Sequence, residues 1–157
     1  MDHIIDTRPV KQIFLSEDRE YSLRIEFKKV VNQIVFPCSL SPFTEPEKID
    51  SSKIQSFRAL LDTGSVDCCI TESTARKLQL TSIGKRNSYG STGPGVSNIY
   101  LVNLHLPWKI IMPVEVMDSA DHPDFDLIIG MNILSKGNLS IENSGGKTVF
   151  QFKQIFI

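Results

Sequence analysis

Apolar and polar residues alternate along residues 21–27: Tyr21, Leu23, Ile25 and Phe27 fall on one side, Ser22, Arg24 and Glu26 on the other. A period of two predicts a half-buried strand. Residues 30–40 are rich in Val, Ile and Phe and predict a second strand. Residues 42–56 carry Pro42, Pro46 and a serine pair, so a long surface connection is expected there. Residues 57–61 return to apolar character and run into Asp62-Thr63-Gly64, and residues 68–71 are a short strand candidate. The period then changes. Thr71 or Ser73 can cap a short helix carrying Ala75, Leu78 and Leu80 at roughly helical spacing. Residues 85–97 hold Gly90, Gly93, Pro94 and Gly95 and form the most loop-like stretch. The alternating run that follows makes them the tip of a long hairpin. Two more strands are expected at 110–117 and 127–130, separated by an acidic loop at 118–126. A helical turn at 131–134 and a last hairpin, 139–142 with 147–152, complete the pattern. Many short strands with one or two short helices predict an all-β barrel or sandwich.

The chain has 157 residues, 41% hydrophobic and 22% charged, which fits one ordinary globular domain. Residues 1–20 are mixed and polar and read as an N-terminal arm before a domain at 21–157. A formal net charge of -1 gives no electrostatic reason to expect nucleic acid or an anionic membrane as partner. No apolar run approaches the length of a membrane span. The N-terminus lacks the basic start and apolar centre of a signal peptide. Three cysteines, Cys38, Cys68 and Cys69, do not form a disulfide framework and read as reduced thiols of a cytoplasmic protein.

The strongest local signal is Ala59-Leu60-Leu61-Asp62-Thr63-Gly64-Ser65. An apolar strand delivers a carboxylate onto rigid scaffold, as a catalytic group requires. The glycine permits a tight turn, so backbone N–H groups can point back at the carboxylate. The Thr63 and Ser65 hydroxyls can hold it further. Taken alone, the same residues also suit an aspartate that merely opens a turn. The second signal is Asp126-Leu127-Ile128-Ile129-Gly130-Met131-Asn132-Ile133-Leu134, an apolar strand, a glycine and a short apolar helix. Alone it is a buried strand with a glycine turn.

In this order, with a glycine-rich hairpin between them, the two signals make residues 21–152 resemble the retropepsin-like aspartic proteases. These are the viral polyprotein-processing enzymes and their cellular and bacterial relatives. The resemblance implies a closed β-barrel with a flap hairpin, working as a two-fold homodimer. It makes Asp62 the catalytic aspartate, with Thr63 bridging the subunits beneath the dyad and Gly64 donating its N–H to the carboxylates. Ser65 and Gly130 would support the active-site loop. Tyr89, Gly90, Ser91, Thr92, Gly93 and Gly95 would form the flap over a peptide substrate. The connection at 42–56 is longer than in compact viral enzymes. The helix after the active-site loop is closer to the cellular and bacterial branch, and Ser65 stands where viral enzymes often have Ala.

The chemistry requires two carboxylates, and the chain carries one Asp-Thr-Gly. A two-fold dimer supplies the second. The implied function is an aspartic endopeptidase with no metal or organic cofactor. The alternative is an inactive dimer of the same fold that binds peptides or assembles complexes. The apolar C-terminus, residues 149–157, is expected to pair as a strand, either within the chain or at an interface.

Other constellations carry less. His3, His105 and His122 show no metal-ligand spacing. Asp118, Asp121, Asp124 and Asp126 lack the glycine and terminal glutamate of a calcium loop and read as a solvated acidic turn. Of Cys68 and Cys69, one should face the core as a small hydrophobe. Gly90-x-x-Gly93-x-Gly95 lacks the Lys-Ser/Thr of a phosphate loop. Trp108 and Phe125 are expected to be core residues rather than pocket walls.

Overall fold

Leu23, Ile25 and Phe27 are buried and Ser22, Arg24 and Glu26 only half-buried, the arrangement their alternation predicts. They belong to the second of eleven strands in a computed structural model that describes residues 3–5, 19–90, 92–106 and 110–156. In chain order these residues form β1 (His3–Ile5), β2 (Arg19–Phe27), β3 (Val35–Pro42), β4 (Gln55–Leu61), β5 (Cys69–Thr71), α1 (Glu72–Lys77), β6 (Gly84–Gly90) and β7 (Gly93–Leu106). There follow β8 (Ile110–Ser119), β9 (Leu127–Ile129), α2 (Met131–Leu134), β10 (Gly137–Glu142) and β11 (Val149–Phe156). The fold is all-β with two short α-helices, as the pattern of short strands predicts.

Two sheets share one core. The larger runs β3-β4-β9-β5-β8-β7-β6, and β3 pairs in addition with β7. The smaller runs β1-β2-β11-β10. Phe36 of the first stacks on Phe150 of the second at 6.2 Å between ring centroids, and Leu23, Phe152, Ile129 and Leu134 pack in the same cluster.

Several predicted elements differ in extent. β3 begins at Val35, not at residue 30, and Val30 is 54% exposed. Val31 and Ile34 pack against the core from a bend, so the apolar composition there reflects core contacts made without a strand. The connection at 42–56 contains two 3₁₀ turns, Pro46–Lys48 and Ser51–Lys53. The Asp50 carboxylate caps the second by accepting from Ser52 N–H at 2.9 Å. The stretch 85–97 is strand for nearly its whole length. Its ladder runs from Gly84↔Ile99 to Gly90↔Gly93. Gly93 has φ +106°, which glycine adopts without strain. The acidic stretch is likewise shorter, since Asp118 and Ser119 complete β8. The Asp118 carboxylate accepts from the backbone and side chain of Asn98, at 2.9 and 2.8 Å.

α1 is capped as predicted by Thr71, whose hydroxyl accepts from Thr74 N–H at 3.3 Å. Ala75 and Leu78 are buried beneath it. The C-terminal segment pairs within the chain: β11 lies between β2 and β10. Phe125 is buried and stacks on His122 at 4.2 Å. Trp108, Ser91 and most of the 1–20 arm fall outside the described residues. Within that arm, His3–Ile5 pairs antiparallel with β2.

Candidate active site

β4 and β5 are consecutive in sequence but not adjacent in space. β9 lies between them, parallel to β4 (Leu61↔Ile129) and antiparallel to β5 (Cys69↔Ile128). Asp126 opens β9 against β4. Its carboxylate accepts from Arg58 backbone N–H at 2.8 Å and from the guanidinium at 3.1 and 3.3 Å. Burial alone would raise the pKa of Asp126. The Arg58 hydrogen bonds outweigh that and hold it below the usual carboxylate range.

This threading puts residues 62–68 in a loop at the end of β4 and rests the loop on the start of α2. Asp62 N–H donates to Ile129 C=O at 3.1 Å, continuing the ladder one residue past the strand. The chain then turns. Gly64 N–H donates to Asp62 Oδ1 at 2.8 Å, and Ser65 N–H donates to Asp62 C=O at 3.3 Å. Asp62 stays half-buried, with Thr63 and Gly64 exposed beside it. The carboxylate is therefore fixed by a backbone donor and remains open to water. The Ser65 hydroxyl is turned away from it and donates to Asp67 C=O at 2.7 Å.

The floor of the loop comes from the glycine-helix segment. Met131 N–H donates to Ser65 C=O at 2.7 Å and Asn132 N–H to Val66 C=O at 3.0 Å. A side chain at Gly130 would put its Cβ 2.5 Å from Asp67 C=O and 2.8 Å from Ser65 C=O. Only a residue without Cβ lets the two backbones approach this closely. The Asn132 side-chain oxygen accepts from Cys68 N–H and from the Cys68 thiol, both at 3.0 Å. Gly130 N–H points at Cys68 Sγ at 3.4 Å. Burial pushes the Cys68 thiol up to about 12, although the Gly130 N–H opposes it. Burial also raises Cys38 and Cys69. Cys68 is thus the core-facing member of the pair and a protonated thiol.

The hairpin of β6 and β7 meets the loop through Arg86. Its guanidinium lies 3.7 Å from the Asp67 carboxylate and 3.2 Å from Glu115 on β8. Tyr89 is 84% exposed and, by strand alternation, points away from the face that carries Arg86. Gly90, Thr92 and Gly95 are exposed along the tip, and Gly93 is half-buried.

The structure thus brings Asp62, Thr63, Gly64, Ser65 and Gly130 to one junction. Of the hairpin, Arg86 reaches that junction at Asp67. Sequence reasoning passed over Asn132, Asp67 and Arg86. Asn132 was visible as the polar residue in an apolar Gly-x-Asn run, whereas Asp67 and Arg86 carried no signal beyond their charge. Among the described residues, no group of three or more His, Cys, Asp or Glu is placed to hold a metal ion. No described helix is long and apolar enough to cross a membrane.

The aspartyl protease family profile matches residues 48–133, more than half of the chain. The chain belongs to the aspartyl protease family. Among solved structures, it is similar to a retropepsin-like aspartic protease from Rickettsia conorii. That match has a TM-score of 0.52 and 11% identity over 88% of this chain and 96% of that one, which shows the fold. The retroviral protease-like domain of Ddi1 from Leishmania major aligns with TM-score 0.44 and 17% identity, over 77% of this chain and 95% of that one. The Simian Foamy Virus (mac) protease aligns with TM-score 0.42 and 12% identity, over 64% and 92%. No curated protein matches the sequence.

Proposed function

We propose that this chain is an aspartic endopeptidase whose dyad forms across a homodimer, each subunit contributing Asp62. The observation that carries the reading is the state of that carboxylate. It ends an apolar strand, accepts from Gly64 N–H at 2.8 Å and stays open to solvent. A lone Asp-Thr-Gly held this way is half of a two-carboxylate machine. Two carboxyl groups brought together cannot both ionise cheaply, so they share one proton, as in aspartic proteases generally. The ionised partner takes a proton from a water between them, and the protonated partner polarises the scissile carbonyl. The pair titrates as a unit.

Thr63 bridges the subunits beneath the dyad, and Ser65 and Gly130 hold the loop. The hairpin tip, with Tyr89, Gly90, Ser91, Thr92, Gly93 and Gly95, closes over an extended peptide substrate. Pairing of β3 with both β4 and β7 supports a closed barrel as the frame. Three free thiols suit a cytoplasmic setting.

The test is Asp62→Asn, a nearly isosteric change. Thermal unfolding of the variant should match the parent, while cleavage of casein or of the chain itself, between mildly acidic and neutral pH, should disappear. Cleavage that persists in the variant refutes the assignment.

A further inference from the structure

The β6–β7 hairpin has little beneath it. β6 is the last strand of the larger sheet, and among the described residues β7 is its one ladder neighbour. Gly84, Lys85, Arg86 and Asn87 are exposed, and an added Cβ at Gly84, Gly90 or Gly93 would meet nothing within 4 Å. Tyr89 and Val96 are exposed as well. Apolar packing therefore does not set the angle of the hairpin, and a two-stranded ribbon held by its own ladder is marginal in water. One face of it is nonetheless continuous with the Asp62 loop. Residues directly opposite in a ladder share a face. The pairs Arg86↔Ser97, Ile99↔Met117 and Cys69↔Met117 carry one face from β6 across β7 and β8 to β5, the strand that leaves that loop. Ser97 and Ile99 are buried on this face, and Arg86 reaches across it. Its Nη1 lies 3.7 Å from the Asp67 carboxylate and its Nη2 lies 3.2 Å from the Glu115 carboxylate.

We propose that Arg86 is a positioning residue of the proteolytic site, a strut whose guanidinium holds the β6–β7 hairpin against the Asp62 loop. The proposal rests on the protease reading, in which that hairpin closes over the peptide. The two anchors of the strut are themselves fixed. The Asp67 carbonyl accepts from the Ser65 hydroxyl at 2.7 Å, and the Ser65 and Val66 carbonyls are held by the first amides of α2. Glu115 stands on β8, inside the sheet and opposite Leu101 of β7. The planar fork of an arginine serves both carboxylates at once, one nitrogen to each, which a lysine ammonium does less well. Lys85, the neighbouring cation, falls on the opposite face by strand alternation and cannot take its place. A hairpin already held near the loop needs less ordering when a peptide enters, so the strut acts on binding more than on the chemical step. Exposed charges carry it, so salt weakens it.

The test is a double-mutant cycle in the full chain, read by the kinetics of labelled-casein cleavage and by amide hydrogen exchange at residues 84–90. Arg86→Gln gives up two exposed ion pairs and should raise KM about three- to tenfold, with a smaller change in kcat. Asp67→Asn gives up one and should raise KM about two- to fivefold. Exchange in β6 should quicken in both, while thermal unfolding stays near that of the parent. The double variant should be no worse than Arg86→Gln, because the second change removes a partner already lost. Arg86→Lys should recover part of the loss, and added salt should raise the KM of the parent more than that of Arg86→Gln. Effects that add in the double variant overturn the strut, since Arg86 and Asp67 would then act separately. Unchanged KM and unchanged exchange in Arg86→Gln overturn it as well. Failure of the protease reading looks different. A parent that cleaves nothing, yet whose β6 exchange quickens in both variants without adding, sinks the activity and keeps the strut. Cleavage by the parent with KM indifferent to both changes sinks the positioning role alone.

Discussion

Replacing Gly130 by alanine tests the junction on which the Asp62 loop sits. The added Cβ would lie 2.5 Å from Asp67 C=O and 2.8 Å from Ser65 C=O, both backbone atoms that no rotamer change can move. The backbone at Gly130, φ -101° and ψ -171°, is extended and open to any residue, so the whole penalty is steric. Forcing one methyl into a packed site costs about 1–3 kcal/mol. Relief requires the loop and α2 to separate, which weakens the Met131–Ser65 and Asn132–Val66 hydrogen bonds at 2.7 and 3.0 Å. Each contributes about 1 kcal/mol net. The sum, up to about 3–5 kcal/mol if both bonds are lost, corresponds to a fall in Tm of roughly 6–20 °C for a chain of this size. Gly84→Ala is the matched control, because nothing lies within 4 Å of its Cβ. It should leave Tm within about 2 °C, since an unobstructed surface change is worth a few tenths of a kcal/mol. Calorimetry or circular dichroism on parent and both variants decides the matter. A Gly130→Ala chain as stable as the control would mean that the loop and α2 do not approach as described.

Two further outcomes follow from the titrating groups. The folded pKa of Asp126 is lowered, so the stability it contributes is complete above its unfolded value and is lost as pH falls through the folded one. Arg58→Ala should therefore lower the urea midpoint at neutral pH, and the gap from the parent should close as pH falls through the lowered folded value; a gap independent of pH would remove this pair from the account. Burial keeps Cys38 and Cys68 protonated, so a thiol reagent at mildly alkaline pH should leave both unmodified until urea unfolds the chain. Modification of either in the native protein, located by peptide mass mapping, would contradict their place in the core.

Elements with one wet and one dry face were legible before any coordinates. Leu23, Ile25 and Phe27 announce β2 because burial on one face imposes a period of two. Thr71 announces α1 because a hydroxyl cap has a fixed place relative to the first turn. β6 escaped for the opposite reason. Gly84, Lys85, Arg86 and Asn87 are all exposed, so neither face imprints a pattern, and the strand exists because β7 supplies a ladder partner. Val30 misled in the other direction, since an apolar residue at a surface turn looks like strand until its exposure is known. The Asp62 loop was legible as a local motif, but its supports were not. Asn132 reaches Cys68 across 64 positions and Arg86 reaches Asp67 from another strand. Such contacts leave no mark on the spacing of neighbours.

The same separation explains why the site belongs to the whole fold and to no fragment of it. Asp62 N–H needs the Ile129 carbonyl, and the Ser65 and Val66 carbonyls need the amides of Met131 and Asn132. β9 lies between β4 and β5, although everything from α1 through β8 separates it from them in sequence. Without β9 and α2 the loop would carry unpaired polar groups and have no reason to hold one conformation. The Gly64 N–H bond to Asp62 is local, yet it is worth little without that floor, since a two-residue turn alone does not fix a carboxylate in water. Long-range threading thus makes the aspartate rigid in a completed fold and ill-defined in an incomplete one. On the proposed reading, in which the carboxylate meets its own copy, that rigidity is the physical condition for a shared proton.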